Sequence, residues 1–482
     1  MRQKNKVFTN IIWRFLERVG AQLVSFIVSI VLARILAPED YGTIALVTVF
    51  TTILNVFVDS GLGTALVQKK DADDLDFSTV FWFNILTCCL LYLLMFACAP
   101  LISNFYSRPD LIPVIRVLCL TIVISGVKNI QNAYVSKHLL FKKFFFSTLS
   151  GTIGAAILGI FMAYKGMGVW ALVAQQLFNL TVDTIILWIT VKFRPKRIFS
   201  FERLKGLFNF GYKLLLSSLI DTTYTQLRQL IIGKKYSSTD LAYYNKGEQF
   251  PNIIAYNINL SIDSVLLPTM SEKQDDKERV KAMTKRSIKV AVYVMVPLML
   301  GLAATSTRVI EILLTSKWLE CVPYLCIFCV SFIFYPVDAA NLNAIKAMGR
   351  SDLFLKLEII KKIVGLCAIL ITMFISPLAM CISVLITSFI CQIINAYPNT
   401  KLLNYPIYEQ WKDMLPSILC AIVMAIIVYI TGSLLSFLPN IVTLIIQVIE
   451  GALIYIIESY IFKIDSFNYV LNLLKPYLSR NK

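Results

Sequence analysis

Of the 482 residues, 57% are hydrophobic and only 16% charged, a balance that leaves too little polar surface to coat a water-soluble globule. The formal net charge of +17 would point to nucleic acid in a soluble chain. Here the basic residues sit in short loops between long apolar runs, so composition predicts an all-α polytopic membrane protein that binds no nucleic acid.

Apolar runs of roughly 20 residues, the length that crosses ~30 Å of hydrocarbon as a helix, recur about fourteen times. The first run reaches Leu36 behind Arg2, Lys4 and Lys6, too long for a signal-peptide core, and is read as an uncleaved first span. Spans one and two (11–36 and 41–66) are joined by an outer turn at 37–42, where Pro38 and Gly42 stop and restart the helices. Spans three to six follow at about 78–103, 111–135, 144–164 and 169–191. A basic linker at 192–206 then separates the halves. Spans seven and eight fill 208–268 around a connection at 233–240, and span nine covers 287–306. The amphipathic segment 308–323, with Ile310, Leu313 and Leu314 beside Trp318, is expected to lie along the membrane surface. Spans ten to twelve take 324–347, 353–375 and 378–395, and spans thirteen and fourteen, 411–431 and 441–462, have no counterpart in the first half. The six tryptophans fall at span ends or in segment 308–323, as an interfacial belt requires.

Polar residues recur at helical spacing in these spans. Asn245, Gln249, Asn252, Tyr256, Asn259 and Asp263 share one face of span eight, and Ser218, Thr222, Thr225 and Gln229 share one face of span seven. In lipid such faces must turn toward protein or a water-filled cavity, because each unsatisfied group costs several kcal/mol. Arg18, Gln22, Ser25 and Ser29 lie 200 positions before the span-seven stripe. Thr48, Thr52, Asn55 and Asp59 lie 204 before Asn252, Tyr256, Asn259 and Asp263, and both latter runs end in Asp-Ser. This reads as an internal duplication: two six-helix lobes, 1–191 and 207–400, related by a pseudo-twofold axis along the membrane normal, plus two C-terminal helices and a tail in 401–482.

Thirty Lys and Arg residues fall in the N-terminus, alternate loops and the C-terminal tail, against eight in the opposite loops, which puts both termini in the cytoplasm. The eight left inside spans are Arg14, Arg18, Arg116, Lys128, Lys213, Arg228, Lys361 and Lys362. The eleven cysteines lie almost entirely in apolar runs and read as packing residues, the lone Cys326-x-x-Cys329 included. His138 belongs to a basic loop. No cofactor or metal motif stands out.

Three strings are similar to those of a known family. Leu32-Ala-Arg-Ile-Leu-Ala-Pro-Glu-Asp-Tyr-Gly42, Asp59-Ser-Gly-Leu-Gly63 and Ala347-Met-Gly-Arg-Ser-Asp352 resemble the polysaccharide transporter family, flippases for lipid-linked oligosaccharides within the multidrug/oligosaccharidyl-lipid/polysaccharide superfamily. The likeness runs along nearly the whole chain. It implies a bacterial inner-membrane protein with two lobes around a cationic central cavity. It also implies a cargo of undecaprenyl-pyrophosphate-linked sugar repeat, turned from the cytoplasmic to the outer leaflet by alternating access for surface polysaccharide assembly.

Such a cargo needs cations for its phosphates and hydrogen-bonding groups for its hydroxyls. The candidates for the diphosphate are Arg14, Arg18, Lys128, Lys213 and Arg228; for the sugars, Asn55, Thr225, Gln229, Asn252, Tyr256 and Asn259; and for ion coupling, Asp59, Asp263 and Asp338. Bland readings stand beside these. Arg14, Lys213, Lys361 and Lys362 also fit as snorkelling anchors, the amides as polar glue between helices, and Asp59 and Asp263 as capping groups. The expected working form is a monomer in the bilayer, with a polysaccharide polymerase or glycosyltransferases as candidate partners. A multidrug/cation antiporter of the same superfamily is one rival. A membrane-embedded glycosyltransferase or polymerase is the other, drawing on the D-x-D of Asp71 and Asp73.

Overall fold

The computed structural model describes residues 2–59 and 61–478. Ser60 of the Asp59–Gly63 string and the end of the basic tail, 479–482, lie outside it, as do Met1 and the side chains of Arg2, Lys4 and Lys6. The described residues form eighteen α-helices, one short 3-10 turn and no strand. An open sheet could not bond its edges in hydrocarbon, whereas a helix satisfies its own backbone.

The first unit, Met1–Ala242, contains α1 (Arg2–Ile35), α2 (Pro38–Asp59), α3 (Leu62–Gln68), α4 (Asp74–Tyr106), α5 (Leu111–Leu118), α6 (Leu120–Lys137), α7 (Lys142–Tyr164), α8 (Val169–Thr190) and α9 (Phe201–Lys235). α10 (Ser238–Ser271) begins in this unit and continues into the second, Tyr243–Lys482. There follow α11 (Lys277–Leu314), α12 (Val322–Phe332), α13 (Tyr335–Ala347), α14 (Ser351–Thr372), α15 (Pro377–Leu402), α16 (Ile407–Leu434), α17 (Asn440–Ile461) and α18 (Asp465–Leu478). Among the described residues, twelve helical segments are long and apolar enough to cross a membrane. The two expected spans missing from that number are α9 and α14. Both are long enough, but α14 carries Lys356, Glu358, Lys361 and Lys362, and α9 carries Lys213, Asp221 and Arg228 within its polar stripe.

The turns follow local chemistry. α2 opens on Pro38, with the Asp40 carboxylate accepting the Ala37 N–H at 3.1 Å. α10 also has an aspartate at the third position, two hundred positions on, but there the bonds run from backbone to serine: the Asp240 N–H donates to Ser237 Oγ at 2.9 Å, and that hydroxyl donates to the Asp240 carboxylate at 2.6 Å. Only Tyr236 and Ser237 separate α9 from α10, a tighter hairpin than the expected 233–240. α9 also begins at Phe201, inside the stretch read as linker.

In the first unit α7 packs against α1 and α8, α4 against α6, and α9 against α2, α3 and α4. Close approach of α2 to α9 and its following turn depends on glycine. A Cβ at Gly42 would stand 1.9 Å from the Ser238 carbonyl oxygen, and one at Gly233 would stand 2.2 Å from Leu46 Cδ2. Leu62, Leu66, Phe77, Phe81, Val135 and Leu187 form a buried core that also takes in Phe193 of the linker. The linker is a strap rather than a tether. Its Lys196 carbonyl accepts from Trp82 Nε1 at 2.8 Å, the Lys196 and Ser200 N–H groups donate to Ser78 and Thr79 hydroxyls, and Phe193 stacks on Tyr134 at 5.0 Å.

In the second unit α11 is the axis, packed against α12, α13, α16 and α17. Lys281, Lys285 and Lys289, one turn apart, face Glu409, Asp413 and Asp465, with Lys285 to Glu409 at 2.9 Å and Lys289 to Asp465 at 2.7 Å. Segment 308–323 departs from expectation. Its first half completes α11, Thr315 breaks the helix at φ 79°, and Ile310, Leu314 and Trp318 are buried in protein. Tyr243 meets the Trp318 ring edge-on at 6.0 Å, so this stretch is core and not a surface helix, and Trp318 is no belt residue.

Candidate functional site

The polar faces belong to α1, α2 and α9 in the first unit and to α10 and α13 in the second. Arg14 and Arg18 stand one turn apart on α1, but their settings differ. Arg14 Nη1 donates to Glu17 Oε2 at 2.6 Å, and its guanidinium lies over the Phe144 and Phe141 rings at 5.1 and 5.7 Å. Arg18 is exposed and has no ion pair with another described residue. Lys128 of α6 is salt-bridged to the buried Asp183 of α8 at 2.5 Å, with Asp59 within its electrostatic reach. On α9, Lys213 is exposed with its ammonium 6.0 Å from the Tyr212 ring, whereas Arg228 is half-buried and engaged by neighbouring groups. Of the five expected cations, then, Arg18 and Lys213 are the two in the open.

Among the sugar candidates, Asn55 and Gln229 are half-buried, and Thr225 is exposed but turns its hydroxyl back to the Thr222 carbonyl at 2.8 Å. Asn252 and Tyr256 are exposed on α10, Tyr256 to 58%. Asn259, one turn on, keeps a buried Oδ1 with no partner among the described residues. The stripe drawn from spacing lies on α10, and half of it, Asn252, Tyr256 and Asp263, is exposed.

The three carboxylates separate. Asp59 is exposed at the end of α2. Asp263 accepts from Asn343 Nδ2 at 2.7 Å, tying α10 to α13. Asp338 is half-buried on α13, close to Asn395 of α15, with Lys361 and Glu358 nearby, and its Oδ1 has no hydrogen-bond partner among the described residues. Lys361, read as an end anchor, is instead paired with Glu358 at 2.6 Å.

Sequence reasoning overlooked the seam around Asp338. α15 presents Ser388, Gln392, Asn395 and Asn399 at steps of four, three and four, all buried, toward α13. Asn399 donates to Asn341 Oδ1 at 2.8 Å, and Asn341 donates to Gln410 Oε1 at 3.0 Å. The helical period that exposed the α10 stripe was present here too. Lys246, one of the eight basic residues assigned to the outer loops from sequence, is instead a core residue: it is buried in α10, donates to Gln249 and lies over the Trp318 ring at 5.7 Å.

The ends opposite the α9–α10 turn are electrostatically crowded. Asp73 and Asp76 form a capping box at the start of α4, Lys69 pairs with the fully buried Asp76 at 2.6 Å, and Arg203 reaches both carboxylates at 3.7 Å. The Asp76 backbone N–H, foremost among several causes, holds the Asp73 carboxyl below its usual range. Half of the D-x-D is therefore occupied in starting a helix. A cavity of about 800 Å³ opens beside it, walled by Gln68, Lys69, Glu202 and Arg203.

Comparison with known proteins agrees with this architecture. A family model described as polysaccharide biosynthesis protein matches residues 31–323. The teichuronic acid biosynthesis protein TuaB of Bacillus subtilis (strain 168) is 27% identical over 310 residues, 63% of either chain. The succinoglycan biosynthesis transport protein ExoT of Rhizobium meliloti (strain 1021) is 25% identical over 326 residues, 67% of this chain and 66% of that one. The match thus spans a little under two thirds of these relatives' length. Among solved structures, the lipid II flippase MurJ in an inward closed conformation superposes with a TM-score of 0.75 at 17% identity, over 95% of this chain and 99% of that one. An inward-facing multidrug resistance MATE family transporter of the MOP superfamily gives 0.61 at 15% identity, over 80% and 94%. These likenesses establish a polytopic transporter-type fold. With the model matched over more than half its length, the chain belongs to the polysaccharide biosynthesis protein family.

Proposed function

We propose that this protein is a flippase, not an enzyme, that carries a lipid-linked oligosaccharide across the bacterial inner membrane for surface polysaccharide assembly. Arg18 carries the reading: a guanidinium exposed on an apolar helix, with no carboxylate pairing it among the described residues, in a family devoted to polysaccharide biosynthesis. A cation so placed costs several kcal/mol unless an anion or water meets it, and a diphosphate is such an anion. Lys213 and Arg228 extend the cationic set, and the exposed Asn252 and Tyr256 offer hydroxyl-binding groups.

In the finer reading the cargo is an undecaprenyl-pyrophosphate-linked repeat, moved by alternating access of two six-helix lobes, with both termini in the cytoplasm and a monomer as the working unit. Asp338, beside the buried Asn395 and with its own Oδ1 buried and unpartnered among the described residues, is the best placed of the three carboxylates for ion coupling. A polymerase or glycosyltransferases would take the product or supply the substrate.

The test is Arg18→Gln in the native host, with surface polysaccharide and membrane-embedded protein measured together. Export should fall at least tenfold, the scale of one lost charge-assisted contact of about 1.5–3 kcal/mol, while protein level holds. Undiminished export would remove Arg18 from the site. Flipping of a fluorescent lipid-diphosphate glycan by purified protein in liposomes checks the activity directly.

A further inference from the structure

Arg108, in the turn between α4 and α5, does more than end a helix. α4 closes on Ser107 in the left-handed region at φ 56°. The Arg108 N–H then donates to the Ser103 carbonyl at 3.0 Å, and the Ser103 hydroxyl donates to the Arg108 carbonyl at 2.8 Å. This small knot fixes the direction in which the side chain leaves. The guanidinium donates twice to Asp110, at 2.8 and 2.7 Å, and also to Ser238 Oγ at 3.0 Å and Thr43 Oγ1 at 3.2 Å, with Glu39 at 3.3 Å. One fork thus joins the start of α2, the α4–α5 turn and the first residue of α10.

Two further contacts close the same place. Lys234, in the last turn of α9, donates to the Phe105 carbonyl and lies over the Phe105 ring at 4.6 Å. Gly42 brings α2 against the Ser238 backbone, where no side chain would fit. The segments that meet are the two sister turns, each with its aspartate at the same capping position.

We infer that Arg108 is the clasp of a latch that closes the α9–α10 turn onto α2 and α4, and that this latch opens in each transport cycle. The second half of the inference rests on the alternating-access reading; the first half does not. The chemistry suits a reversible closure. The fork is 28% exposed and two of its four partners, Glu39 and Asp110, are exposed carboxylates, so water can replace those bonds as they break, while the Thr43 and Ser238 hydroxyls are buried at the contact itself. The enclosed Lys128–Asp183 pair has no such exchange open to it.

Two experiments separate the halves. Hydrogen–deuterium exchange on the full chain in lipid nanodiscs should rise about tenfold in segments 36–46 and 232–242 on Arg108→Gln. Arg108→Lys, which keeps the charge but not the fork, should fall between. Unchanged exchange in both segments, in an Arg108→Gln protein that melts like the parent, overturns the latch whatever the cargo proves to be. In Thr43→Cys/Ser238→Cys, oxidation should give a disulfide recoverable as linked peptides by mass spectrometry, stop polysaccharide export, and be reversed by reductant. Failure of the disulfide to form overturns the juxtaposition. A complete disulfide with normal export overturns the opening step and leaves the exchange result standing.

Discussion

Asp183 holds the Lys128 ammonium at 2.5 Å between two helices of the first unit, and the carboxylate is buried. Breaking an enclosed pair by removing one member leaves the other charge uncompensated, at about 3–5 kcal/mol. Asp183→Asn is therefore expected to destabilise the protein by about 3 kcal/mol, and Asp183→Asn/Lys128→Met to recover most of that loss. Thermal unfolding followed by a thiol-reactive dye suits the measurement, since Cys88 and Cys119 are buried until the unit opens. Equal stability of the single variant and the parent would show that the pair contributes nothing. The sequence offered Lys128 as a phosphate ligand because it is a cation in an apolar run. Its partner lies 55 positions away, beyond the reach of any local period. Arg14 shows the converse: Glu17 lies three residues on, within helical reach, and the structure makes the bond.

At the scale of the helix, α2 and α9 illustrate how small residues set packing distance. The two glycines at this contact are not equivalent. A methyl at Gly42 meets a backbone carbonyl that cannot turn aside, whereas one at Gly233 meets the end of the Leu46 side chain, which can rotate. Gly42→Ala should therefore cost about 1–3 kcal/mol and Gly233→Ala less than about 1 kcal/mol. Melting temperatures of the two purified variants check the order, and a larger loss at Gly233 would contradict the packing described. Helices themselves were legible: apolar length, Pro38 at a helix start and polar residues at three- and four-residue steps located most of them. Their exact extents were not, because 201–207 and 308–314 are too polar or too short to read as helix alone. Each is held by continuity with a long neighbour and by burial of residues such as Leu204, Leu207, Ile310 and Leu314.

For the whole molecule, the asymmetry of thirty basic residues against eight predicts orientation. A cysteine replacing the exposed Lys165 should react with an impermeant maleimide on intact cells, and one replacing the exposed Asp275 only after the membrane is breached, above the background of the eleven native thiols. The opposite pattern would invert the chain and move the proposed latch to the inner face. Composition by itself determined that this is a helical membrane protein, and spacing determined which helices carry polar faces, because both are properties of neighbouring residues along one helix. Only the tertiary structure decided which charges are spent on each other, that Trp318 and Lys246 are interior, and that the two sister turns meet around Arg108. Those outcomes depend on groups tens to more than a hundred positions apart being brought into contact, and no local pattern encodes that pairing.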